Sequence, residues 1–152
     1  MVIKISYFYQ LRFFKPYQIP VSTALIDPKW YRGKPHKDKN GVYNGIRYEK
    51  LHADIDFDGA SCSKTCKDDP NTCNFMTAYR TQLENTDFKE VYSWLETVAN
   101  NVKQIEGFDE EPEIILMVYE TPDNPCSERQ PLIEWFAKNG IKIKEFKHGT
   151  TN

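Results

Sequence analysis

A three-layer α/β sandwich with a mostly parallel four-stranded sheet is the fold this sequence predicts, and three observations predict it. The first is a strand, helix, strand succession towards the end of the chain. Ile114 to Tyr119 is the longest apolar run, β-rich and too short to span a membrane, as expected of a strand buried on both faces. Leu132, Ile133 and Phe136 then set a helical stripe, Asn139-Gly140 stops it, and Ile141 to Phe146 alternates apolar and charged residues. Such a βαβ crossover joins parallel strands and is right-handed in nearly all proteins. The second observation is the clearest periodicity in the chain, with Phe88, Val91, Leu95, Val98, Val102 and Ile105 recurring in steps of three and four. The third is a pair of β-like runs at the start, Val2 to Phe8 and Ile19 to Leu25.

Taken in order, the first strand covers Val2 to Phe8. Arg12 and Lys15 then interrupt Phe13, Phe14 and Tyr17, which predicts a short helical or irregular crossover. The second strand runs from Ile19 to Leu25, with Pro20 limiting hydrogen bonding at its start. Residues 33–74 form a polar insertion in which Asn40-Gly41 and Asn44-Gly45 are tight-turn signals for a hairpin, followed by a cysteine-bearing loop. Phe75, Tyr79 and Leu83 mark a short helix. Asp87 caps the long one and Gly107 ends it. An acidic connector, Asp109 to Glu113, leads into the third strand, and the tail beyond Phe146 is polar. One domain, 1–152, accounts for the whole chain, and the long helix is expected to bury its stripe against a Rossmann-like sheet.

Open α/β sheets bind ligands beyond the carboxyl ends of their strands, where loops enter helices. Here that loop carries Glu120, Asp123, Cys126, Glu128 and Arg129. Ser127, with Gln130 three residues on, has the form of a capping box. A helix start favours anions and thiolates. Cys126 is therefore a candidate nucleophile, Glu120 a candidate acid/base and Arg129 an anion clamp. A buried structural cysteine and a solvated arginine are the alternative. Past the second strand, Lys29, Trp30, Tyr31 and Arg32 interleave charge with rings, a pattern that can stack and neutralise a nucleotide. A core tryptophan with solvated neighbours explains it as well.

Cys62, Cys66 and Cys73 fall within twelve residues in a stretch with almost no apolar content. Such a segment cannot order itself by burial, and three thiolates with Cys126 or His52 as a fourth ligand would suit zinc. The spacing matches no common zinc-finger pattern, so free thiols and a disulfide stay open beside the metal.

The order Tyr119-Glu120-Thr121-Pro122, Cys126, Arg129, Trp135 resembles the domain-of-unknown-function 488 family, in which Cys-His-Arg opens a helix that reaches a Trp. Ser6-Tyr7-Phe8, Ile19-Pro20-Val21-Ser22 and Pro28-Lys29-Trp30-Tyr31 are similar to its short, often phage-borne branch. The family's Cys-His-Arg is here Cys126-Ser127-Glu128-Arg129, and Leu25 stands where the family often has an arginine. The resemblance implies a phage-type accessory protein acting in a host cytoplasm.

Hydrophobic residues at 39% and charged residues at 28% are ordinary for a globular protein, and the net charge of −2 argues against bulk electrostatic binding of DNA. The chain shows no secretory signal and no membrane-length segment, so the expected compartment is a reducing cytoplasm. Two functions fit. One is an enzyme acting on a nucleotide or nucleic-acid base. The other is a non-enzymatic binding module, with a structural zinc, for nucleic acid or a host protein. No Gly-rich phosphate loop, Gly-x-Ser-x-Gly elbow or His-Glu-x-x-His is present to choose between them.

Overall fold

The computed structural model describes residues 1–54, 69 and 73–148. Its strands are β1 (Val2–Tyr7), β2 (Gln18–Ser22), β3 (His36–Lys37), β4 (Tyr43–Asn44), β5 (Glu113–Val118) and β6 (Lys144–Glu145), and its α-helices are α1 (Asn74–Glu84), α2 (Phe88–Glu106) and α3 (Arg129–Lys138). Four strands form a parallel sheet in the order β2-β5-β1-β6, while β3 and β4 pair as a separate antiparallel hairpin.

The apolar run of β5 is continuous because this strand lies between β1 and β2 and is covered on both faces; all six of its residues are buried. Ile114, Leu116 and Val118 face one cluster, shared with Ile3, Ile5, Val21 and the buried sides of the α-helices. Ile115 and Met117 face the other, with Phe8, Leu11, Phe14, Tyr31 and Phe146. These are the three layers. On the second face the cover is built from 3-10 turns at Phe8–Phe13 and Lys29–Tyr31, and from Val42 of the hairpin.

Strand ends differ from the sequence expectation in a consistent direction. β2 stops at Ser22, because Thr23 turns to bond the Met117 carbonyl through both its N–H and its hydroxyl. β6 is a two-residue edge strand whose alternation ran longer than its pairing with β1. The hairpin turns at Gly41, whose φ of +80° suits glycine. Val42 and Leu51 are fully buried, and Arg47 bridges to Ser22, so the described part of the insertion packs into the domain.

Helix α2 is held at both ends as its sequence indicates. The Asp87 carboxylate accepts from the N–H groups of Lys89 and Glu90, and Gly107 closes the helix at a φ of +71° with its N–H on the Lys103 carbonyl. Its buried residues are Val91, Leu95, Ala99 and Val102, whereas Phe88 and Val98 are partly buried and Ile105 is exposed. The stripe rotates because its steps, averaging 3.4 residues, drift on a 3.6-residue helix, and the small Ala99 takes a core position in place of Val98. Among the described residues, no helix is long and apolar enough to cross a membrane.

Candidate functional site

Because β1, β2 and β5 are parallel, the segments that follow them leave from one edge of the sheet. Residues 119–128 lead from β5 into α3, which begins at Arg129. Glu128 stands as its cap residue in helical conformation with no side-chain cap. The Ser127-Gln130 capping box is not formed. Ser127 Oγ instead accepts from the Arg129 N–H at 3.0 Å, and Gln130 turns outward to Glu134. Pro131, in the first turn, has no N–H to be capped.

This start of the helix carries a buried ionisable pair in sequence. Glu128 is 2% exposed. Burial first, and then the neighbouring Glu120 carboxyl, push its pKa up to about 8, against the opposing pull of the Leu25 and Glu128 backbone N–H groups. Arg129 is 7% exposed. Its Nε donates to Glu145 Oε1 at 2.8 Å, and its guanidinium carbon lies 6.0 Å from the Tyr7 ring centroid. The Glu145 carboxyl is raised by burial, with Arg129 pulling it back down.

Buried side-chain atoms without a hydrogen-bond partner among the described residues are Ser6 Oγ, Gln10 Oε1, Glu120 Oε1, Glu128 Oε2, both terminal nitrogens of Arg129 and Glu145 Oε2. All belong to this edge. Ser6 is the penultimate residue of β1, Gln10 lies in the turn after it, Glu145 pairs with Ile5, and Glu120 follows β5. Folded proteins pair nearly all such atoms, so their concentration at one place marks where water, a proton or a ligand completes the bonding. Glu120 and Glu128 face each other, and a proton held between the two carboxyls would serve the oxygens left without a partner.

Cys126 is buried, with its N–H on Asn124 Oδ1 at 3.0 Å, and its sulfur lies 3.5 Å from that of Cys73. The two cysteines therefore meet. Cys126 is disulfide-bonded, and a nucleophilic or metal-binding role requires it as the reduced thiolate. His52 lies elsewhere, with Nδ1 against Arg47 and 3.0 Å from the Ala24 carbonyl. Cys62 and Cys66 lie outside the described residues. No group of three metal-ligating side chains occurs among the described residues.

The Lys29-Trp30-Tyr31-Arg32 stretch divides. Trp30 is 54% exposed, and Lys29 and Arg32 are exposed beside it. Tyr31 is fully buried, its hydroxyl donating to the carbonyls of Pro20 and Ile46, and burial raises its pKa. It holds the turn in place.

A second polar cluster escaped the sequence reading. Ser22 Oγ donates to Asp27, Arg47 reaches Asp27 at 3.0 Å and Ser22 Oγ at 3.3 Å, and the other arm of Arg47 meets His52. Only the parallel bridge between Ser22 and Arg47 brings these residues together, and no spacing signals it. Its members are mutually satisfied, unlike those around Arg129. No protein family, curated protein or solved structure matches the chain.

Proposed function

We propose that this chain is an enzyme acting on an anionic, nucleotide-like ligand at the carboxyl edge of its sheet. The observation that supports this best is the pair of buried, unbonded terminal nitrogens of Arg129 at the start of α3. A phosphate or carboxylate would accept both, in the bidentate geometry an arginine offers, and the helix start adds its own positive field. Glu128, whose pKa of about 8 keeps its proton at neutral pH, would be the general acid, and Glu120 the partner that takes a proton back. The phage-type, host-cytoplasm assignment rests on the sequence resemblance alone.

Arg129→Lys keeps a cation for Glu145 and removes the fork. In a thermal-shift titration with inorganic phosphate and a nucleoside monophosphate, the wild type should be stabilised by at least one of them. R129K should bind at least about tenfold more weakly while its ligand-free melting temperature stays within a few degrees. A wild type indifferent to both anions, or an R129K that responds equally, would remove the reading.

A second reading is the binding module with a structural zinc, which needs the Cys126 disulfide reduced so that Cys126 and Cys73, whose sulfurs lie 3.5 Å apart, can both serve as thiolates. Protein purified under reducing, chelator-free conditions should then carry about one zinc per chain in elemental analysis. Metal-free protein under those conditions excludes it.

A further inference from the structure

We propose that the segments following β1, β2 and β5 form a binding face for single-stranded nucleic acid. Charge in this chain is strongly segregated. Residues 8–39 hold seven Lys or Arg against two Asp, a net of +5, whereas the rest holds thirteen basic against twenty acidic side chains, a net of −7. The overall −2 hides a basic surface segment of the kind that contacts phosphates.

Apolar exposure is concentrated at the same place. Of the six large apolar residues exposed among the described residues, Tyr9 (58%), Ile26 (54%), Trp30 (54%) and Tyr119 (62%) lie in the segments beyond the carboxyl ends of β1, β2 and β5, while Val2 and Ile105 lie elsewhere. The topology brings them to one rim. β5 runs between β1 and β2, so Tyr119, its next residue, emerges between the other two segments. Those segments touch, with the Trp30 ring edge-on to Phe8 at 6.2 Å. The Arg12 guanidinium lies 3.9 Å over the Tyr9 ring, and Lys29, Arg32 and Lys34 are exposed nearby in sequence.

Exposed rings interleaved with mobile cations fit one partner better than others. Unpaired bases offer faces to stack, and their phosphates complement the basic segment. A duplex hides its base faces, and a strand can reach rings that separate segments contribute to the rim. This deepens the proposed function by making the substrate a base within a strand, and it rests on that reading for the chemistry alone; the binding stands on the rim.

Fluorescence anisotropy with labelled twelve-nucleotide oligo-dT and oligo-rU, a duplex of equal length, and the variants Trp30→Ala, Trp30→Phe, Lys29→Glu/Arg32→Glu and Arg129→Lys tests it. Single strands should bind at low salt and weaken as salt rises, with the duplex at least about tenfold weaker. W30A should lose at least about fivefold, W30F should recover most of that, and the charge-reversed pair should lose more. R129K should lose less of the strand binding than W30A does, so the rim and the Arg129 site can fail separately. Whichever oligomer binds more tightly identifies the strand as DNA or RNA. No binding of either single strand at about 50 mM salt, a duplex bound as tightly, an unaffected W30A, or a loss confined to R129K would each overturn the proposal.

Discussion

Glu128→Gln should make the protein more stable than the wild type at alkaline pH, by about 3 to 5 kcal/mol at pH 9. In the folded chain Glu128 holds its proton up to about pH 8, because burial and the Glu120 carboxyl both disfavour its charge. In the unfolded chain it ionises near the ordinary value of 4.5. The folded state therefore binds more protons than the unfolded state between those two values. Stability from this group is complete below about pH 4.5 and is lost as pH rises through about 8. A glutamine keeps the shape, stays neutral throughout and can donate an N–H to Glu120. Urea unfolding of both proteins at pH 5 and pH 9 measures the effect. The two should agree within about 1 kcal/mol at pH 5 and diverge at pH 9. Equal stability at both pH values would mean that Glu128 is ionised in the folded chain, and the general-acid role would go with it.

The parts of this molecule that the sequence discloses are the local ones. The continuous run of β5, the Asp87 cap and the Gly107 stop each depend on neighbours within a few residues, and each stands where its pattern points. Strand length is less legible. The alternation of Ile141 to Phe146 describes what each side chain prefers, while the two-residue β6 depends on how far β1 offers a partner. The candidate site is legible only in outline. The rule that parallel sheets bind ligands at their carboxyl edge led to Glu120 and Arg129. It could not reveal Glu145 and Tyr7, which approach Arg129 from other strands, or Gln10, which donates to the Tyr7 hydroxyl. Nor could it reveal that Glu128 is the buried acid, since that depends on its burial and on Glu120 beside it.

Leu95→Asp should unfold the protein or come close to it, and Val98→Asp should not. Leu95 is fully buried in the α2 face that packs on the sheet, in the same cluster as Leu116 and Ile114. Replacing it removes about 2 kcal/mol of apolar burial and leaves a carboxylate in apolar surroundings at a further cost of several kcal/mol. The sum, roughly 5 kcal/mol or more, approaches the whole stability of a domain this size. Val98 is only partly buried at the margin of that face, so an aspartate there can turn towards water and should cost about 1 to 2 kcal/mol. The heptad-like spacing of the sequence ranks the two positions as equals; the 3.6-residue turn of the real helix, with Ala99 in the core, separates them. Circular dichroism with thermal and urea unfolding of both variants reads the difference directly. An L95D protein melting within a few degrees of wild type, or a V98D protein just as damaged, would place the packed face of α2 on the Val98 side and require a different helix register against β5.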